Sequence, residues 1–156
     1  GNGSFNSTLE IARDLSHSLV QVAQGAGLQC EAILTDMNQV LGKSAGHTLE
    51  MLECIRFLLN KEKDIRLEKI TYELTSSILM MSQNLSKDEA IKKINTVVSS
   101  GLAAEKFEKM VHALGGPLDI LSSYKKYLEV SSFKKEIFSA TLRIDYCEKE
   151  YLLMNK

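Results

Sequence analysis

A chain of 156 residues with 44% hydrophobic and 25% charged side chains has the composition of a globular protein, and its length suits one hydrophobic core. Nineteen basic and twenty acidic side chains give a net charge of -1, so no bulk field favours nucleic acid or an anionic lipid surface. An aromatic content of 6% without Trp also argues against an aromatic binding platform.

The cysteines and the hydropathy of the chain indicate where the protein works. Cys30, Cys54 and Cys147 are odd in number, widely spaced and without a CxxC pair, so they predict reduced thiols rather than a zinc site or a disulfide framework. No apolar run approaches the roughly 20 residues of a membrane span, and the N-terminus lacks a basic and apolar signal pattern. We therefore expect a cytoplasmic protein without a membrane partner.

The first predicted helix follows a glycine-rich turn. Ser7 and Glu10 have the spacing of a capping box, which predicts a helix start at Ser7. Apolar residues at spacings of four and three then form one stripe, which consists of Ile11, Leu15, Leu19 and Val22. The sequence Gly-Ala-Gly at 25–27 predicts a left-handed stop at the end of this helix.

A short apolar run after the two glycines predicts a buried strand over residues 30–35, and therefore an α/β fold with a short sheet element packed between helices. The following loop would leave the carboxyl end of that strand, where ligands bind in open α/β sheets. Asp36, Asn38 and Gln39 are thus candidate residues near a site. The alternative is an Asx-type turn that caps the next helix.

The chain after this loop is predicted to be mostly helical, which makes about six helices in total. Apolar stripes indicate helices within 49–59, 67–81, 87–100, 107–114 and 118–128, and a second capping box starts at Ser86. From Phe133 the apolar residues alternate with polar ones, which predicts a strand-like tail. We divide the chain into a helix-rich α/β part, residues 1–128, and a strand-rich part, residues 129–156.

Several segments also carry a family resemblance. Residues 36–42 read DMNQVLG and residues 46–50 read GHTLE, and together they resemble the DMNQ-x-LG-x3-GNALE segment of the thymidine and pyrimidine-nucleoside phosphorylases. His47 and Thr48 replace the usual Asn-Ala pair. Residues 1–5 resemble the GxGAF turn of the family, and residues 103–116 resemble its AxExFxxMVxxxGG helix. The match is collinear through about Tyr127.

The resemblance implies an activity. Members of this family cleave the bond between pentose and pyrimidine with inorganic phosphate, which gives a free base and a pentose 1-phosphate and requires no cofactor. Charge develops on the leaving base and on the attacking phosphate, so cationic and hydrogen-bonding groups are needed on both sides. The substrates would be phosphate and thymidine or another pyrimidine nucleoside, and the full-length enzyme would be a homodimer.

The resemblance also implies that this chain is a central fragment. Family members are more than twice as long, and both their phosphate loop and their Arg, Ser and Lys pyrimidine clamp precede the equivalent of Gly1. We therefore assign no catalytic residue, and we expect the isolated chain to be inactive.

Four residues match binding positions of the family. Phe5 matches an aromatic residue that packs on the pyrimidine ring, although the same ring could instead staple onto the first helix. Leu41, Ser44 and Glu53 match positions that hold a monovalent cation, potassium, in some relatives. Two of them would ligate through backbone carbonyls and Glu53 through its carboxylate. Ser44 stands where relatives have Ala, the remaining ligands are outside this chain, and Glu53 could simply be a charged helix residue.

Two other functions remain open. An anthranilate-type phosphoribosyltransferase would share the architecture, but its diphosphate-binding glycine loop and paired acidic metal motif are not visible in the sequence. A helical interaction domain without catalysis is the reading that the apolar patterns alone favour. The sequence upstream would discriminate among the three, because a KHSxGGxGDK-like loop and a pyrimidine clamp there would support the phosphorylase.

Overall fold

The computed structural model describes residues 4–36 and 41–128. These residues form six helices, the number that the sequence predicts. The helices are α1 (Leu9–Gly25), α2 (His47–Leu58), α3 (Ile65–Gln83), α4 (Lys87–Ser99), α5 (Leu102–Ala113) and α6 (Ile120–Tyr127). None of them combines the length and the apolar composition that crossing a membrane requires.

Helix α1 and the segment after it belong to the first of two compact units. The N-cap of α1 is Thr8 rather than the predicted Ser7, and its Oγ1 accepts a hydrogen bond from the amide of Ile11 at 3.3 Å. The predicted stop is confirmed, because Gly27 has φ of +79° just after the helix. The apolar stripe of α1 is largely uncovered, since no residue of the helix is buried.

The predicted strand over residues 30–35 is wrong. Residues 28–36 are neither helical nor part of a strand, and the described residues contain no strand at all, so the α/β fold class is corrected to an all-helical architecture for 4–36 and 41–128. A strand exists only through hydrogen bonds to a neighbouring strand, and no such neighbour is present in these ranges. The strand-like tail, residues 129–156, lies outside the described residues, and the division at residue 128 stays a prediction.

The second unit contains α2 to α6 and the hydrophobic core. Helix α4 packs against α3 and α5. Helix α5 also packs against α2 and α6, and the core lies between these helices. The buried apolar side chains are Ile55, Phe57, Ala90, Ile94, Val98, Ala104 and Ile120. Three of them lie four residues apart on α4, so one face of this helix is buried against its neighbours.

Local capping explains where α3 and α4 begin. The Asp64 carboxylate accepts hydrogen bonds from the amides of Arg66 at 2.8 Å and Leu67 at 3.2 Å. The capping box predicted at Ser86 is confirmed, because Ser86 Oγ accepts from the amide of Glu89 while the Glu89 carboxylate accepts from the Ser86 amide at 2.8 Å. The starts of α3 and α4 are therefore each determined by hydrogen bonds between residues no more than three positions apart in the sequence.

Candidate functional site

Of the four residues predicted to lie near the substrate, the structure describes Phe5 and Asp36. The side chain of Phe5 is fully exposed, so it does not staple onto α1. Asp36 is half-buried at the end of the extended segment. Asn38 and Gln39 lie outside the described residues. The role of all four near a substrate stays a prediction.

The loop before α2 is held by one carboxylate of that helix. Glu53 Oε1 accepts a hydrogen bond from the amide of Lys43 at 3.0 Å, and Glu53 Oε2 accepts one from the Ser44 hydroxyl, also at 3.0 Å. Gly42, Ser44 and Glu53 are all half-buried. We call residues Gly42, Lys43 and Ser44 together with the Glu53 side chain the Glu53 cradle.

Gly42 is required for the close approach within this cradle. A Cβ atom placed on Gly42 would lie 2.6 Å from Glu53 Cδ and closer still to both carboxylate oxygens, so any side chain there would displace the carboxylate. Glycine thus allows Glu53 to lie directly against the loop backbone. The sequence motif contains this glycine, but its contact with a residue eleven positions away was not predicted.

Gly46 is the N-cap residue of α2. A Cβ added there would have no neighbour within 4 Å, so close packing does not require the glycine. Its φ of +121° is the actual constraint, because side chains other than glycine rarely adopt it. The amide of Gly46 donates to Glu50 Oε1 at 2.8 Å, so a second carboxylate of α2 holds the same loop.

An exposed charge network surrounds the loop and was also not predicted. The ammonium of Lys43 lies 3.0 Å from Glu62 Oε1, and Arg56 lies 3.4 Å from Glu62 Oε2. The hydrogen bond from Lys43 is the main reason why the pKa of Glu62 is lowered, and the same bond raises the pKa of Lys43. Because these side chains are exposed and screened by solvent, the network orients the loop more than it stabilises the fold.

The cation ligands predicted from the resemblance can be compared with these contacts. The structure brings Ser44 and Glu53 together. Leu41, which directly precedes the cradle in the sequence, is half-buried. Both oxygens of Glu53, however, already accept hydrogen bonds from protein donors. Within 4–36 and 41–128 no three His, Cys, Asp or Glu side chains cluster as metal ligands would. The cation site stays a prediction.

Cys30 and Cys54 form no disulfide bond in the described part, and Cys147 lies outside the described ranges. Cys54 is an exposed residue. Partial desolvation of the Cys54 thiol, followed by the charges of Glu53 and Glu50, raises its pKa above the ordinary value. This thiol is therefore poorly suited to act as a nucleophile near neutral pH.

The first unit carries a separate groove of about 510 Å³ between α1 and residues 30–34. Its lining includes Arg13, His17 and Cys30 but none of the residues predicted to bind substrate or cation. The groove is mainly apolar, and none of its lining residues belongs to the exposed apolar stripe of α1.

Comparison with known proteins identifies a relative. A curated protein of Colwellia psychrerythraea, named thymidine phosphorylase, is 48% identical to this chain over 123 residues. The alignment covers 78% of this chain and 28% of the relative, so the chain spans well under half the length of that protein. No family model matches the chain.

Proposed function

Because this chain belongs to the thymidine and pyrimidine-nucleoside phosphorylase family, we propose that it is part of a longer enzyme that cleaves pyrimidine nucleosides with phosphate. The products are the free base and a pentose 1-phosphate. The single observation that carries this proposal is the 48% identity over 123 residues to a protein of that name. The substrates of the longer enzyme are phosphate and thymidine or a related pyrimidine nucleoside.

In this proposal the chain contributes positioning rather than the reacting groups. The exposed ring of Phe5 is available to stack on a pyrimidine, and Asp36, Asn38 and Gln39 shape the loop that approaches it. The cationic groups that stabilise phosphate and the departing base come from residues outside these 156. No cofactor is required, and the longer enzyme acts as a homodimer in the cytoplasm.

The first test compares the isolated chain with the longer enzyme. The purified 156-residue chain should release no thymine from thymidine, because it covers only 28% of the length of the relative that it matches. The longer enzyme should release thymine, and the release should stop when phosphate is omitted. Thymine release by the isolated chain that requires phosphate would show that the reacting groups are misassigned. Turnover by the longer protein with a phosphoribosyl diphosphate, and none with thymidine, would support the phosphoribosyltransferase instead.

The second test concerns Asp36 in the longer enzyme. Asp36→Ala should lower kcat/KM by on the order of a hundredfold, because small displacements of a loop at a reacting centre have effects of this size. The midpoint of thermal unfolding should fall only slightly, since one capping or bracing hydrogen bond is worth about 1 kcal/mol. Asp14→Ala, at an exposed position of α1, is the matched control and should change neither quantity. Equal activity of Asp36→Ala and the unaltered enzyme would reduce this residue to a helix cap.

A further inference from the structure

We propose that the Ser44 hydroxyl and the Lys43 amide hold the Glu53 carboxylate in place of a monovalent cation, so that the Glu53 cradle closes without potassium. This inference goes beyond the proposed function, and its tests measure folding rather than activity. A failed activity assay and a failed cradle are therefore distinguishable.

The geometry of the carboxylate supports this inference. A partly buried carboxylate needs hydrogen-bond donors or a cation to offset its lost hydration. Glu53 has one donor on each oxygen, at 3.0 Å in both cases, and hydrogen bonds to an ionised acceptor are among the stronger ones in proteins. Each oxygen keeps a second lone pair that could still ligate a cation, but the two donors already offset part of the lost hydration of the carboxylate.

Ser44 distinguishes this cradle from one with alanine at the same position. An alanine would leave Glu53 Oε2 without the hydroxyl donor, while the Lys43 amide would still serve Oε1. The carboxylate would then have an open position for a hard cation. The serine occupies that position with a donor of the chain itself, and the close backbone at Gly42 leaves little space beside the carboxylate.

The first experiment measures thermal unfolding of the longer enzyme that contains this chain, in potassium chloride and in choline chloride, each at about 0.1 M so that screening is equal. The two midpoints should agree within roughly 1 °C, a shift that corresponds to much less than one hydrogen bond. A midpoint several degrees higher in potassium, with no such difference in Glu53→Ala, would overturn the proposal because a cation would then be bound by Glu53.

The second experiment is a double-mutant cycle. Ser44→Ala should lower the midpoint by roughly 3 °C, and Glu53→Ala should lower it further, because it also removes the bond from the Lys43 amide. The double variant should fall no further than Glu53→Ala alone, since the hydroxyl bond is then already lost. Ser18→Ala is the matched control, because its hydroxyl donates to the Asp14 carbonyl on exposed α1. Its effect should add to that of Glu53→Ala. Simple additivity of Ser44→Ala and Glu53→Ala would also overturn the proposal.

Amide hydrogen exchange tests the proposal on the unaltered chain. It therefore does not depend on a variant that still unfolds cooperatively. In choline chloride the Lys43 amide of the unaltered chain should exchange at least about tenfold more slowly than in an unstructured peptide, because it donates to Glu53. Exchange at the unstructured rate in choline, together with protection in potassium, would contradict closure of the cradle by protein donors.

Discussion

Replacing Ile55 by alanine should lower the free energy of unfolding by about 3 kcal/mol, a typical cost for a large-to-small change in a core. Ile55 on α2 has no solvent exposure at all, and it is the largest apolar side chain in the described residues that is completely enclosed. The lost methyl groups leave a cavity that surrounding helices fill only in part. Because natural domains are stable by only about 5–15 kcal/mol, such a loss is large.

Chemical denaturation followed by circular dichroism measures this change. The control is Ile78→Ala on α3, where the same atoms are removed from a side chain that is 60% exposed. The control should cost less than about 1 kcal/mol, since little apolar surface leaves water there on folding. Similar losses for Ile55→Ala and Ile78→Ala would mean that α2 does not contribute the core of the second unit.

Replacing Asp64 by alanine should cost about 2 kcal/mol, which is near the upper end for a helix N-cap. Two amides, those of Arg66 and Leu67, lose their acceptor together, and Asp64 is only 9% exposed, so water does not freely replace it. Unsatisfied donors in such a position carry their full desolvation cost.

Asp64→Asn is the conservative variant that checks this explanation. Its side-chain oxygen can still accept from the two amides, so asparagine should restore most of the stability that alanine loses. Denaturation midpoints of the three proteins, measured side by side, give the comparison. Should Asp64→Asn lose as much as Asp64→Ala, the negative charge rather than the cap would be the stabilising feature.

The helices were predictable from the sequence because their signals are local. The Ser86 capping box and the left-handed stop at Gly27 depend on residues a few positions apart, and both were confirmed. The N-cap of α1 was misplaced by one residue, since Ser7 and Thr8 both carry a hydroxyl that can accept from an amide three positions later. Local chemistry alone does not decide between two such neighbours.

The segment at 30–35 and the Glu53 cradle were not predictable for a common physical reason. An apolar run of five or six residues looks the same whether or not another strand pairs with it, so the pattern could not exclude an unpaired extended segment. The cradle likewise joins Glu53 to Lys43 and Ser44, ten and nine positions earlier. The sequence indicated Ser44 and Glu53 only through the family resemblance. That resemblance predicted them as cation ligands, not as hydrogen-bond partners of each other.

The close contact between Gly42 and Glu53 has an evolutionary consequence. A Cβ atom at position 42 would overlap the Glu53 carboxylate, so a larger residue at 42 must displace that carboxylate and with it the bonds from Lys43 and Ser44. While Gly42 is kept, position 53 is free of this constraint. The effect of a substitution at 42 therefore depends on the residue at 53, and a change at 53 that comes first removes the conflict.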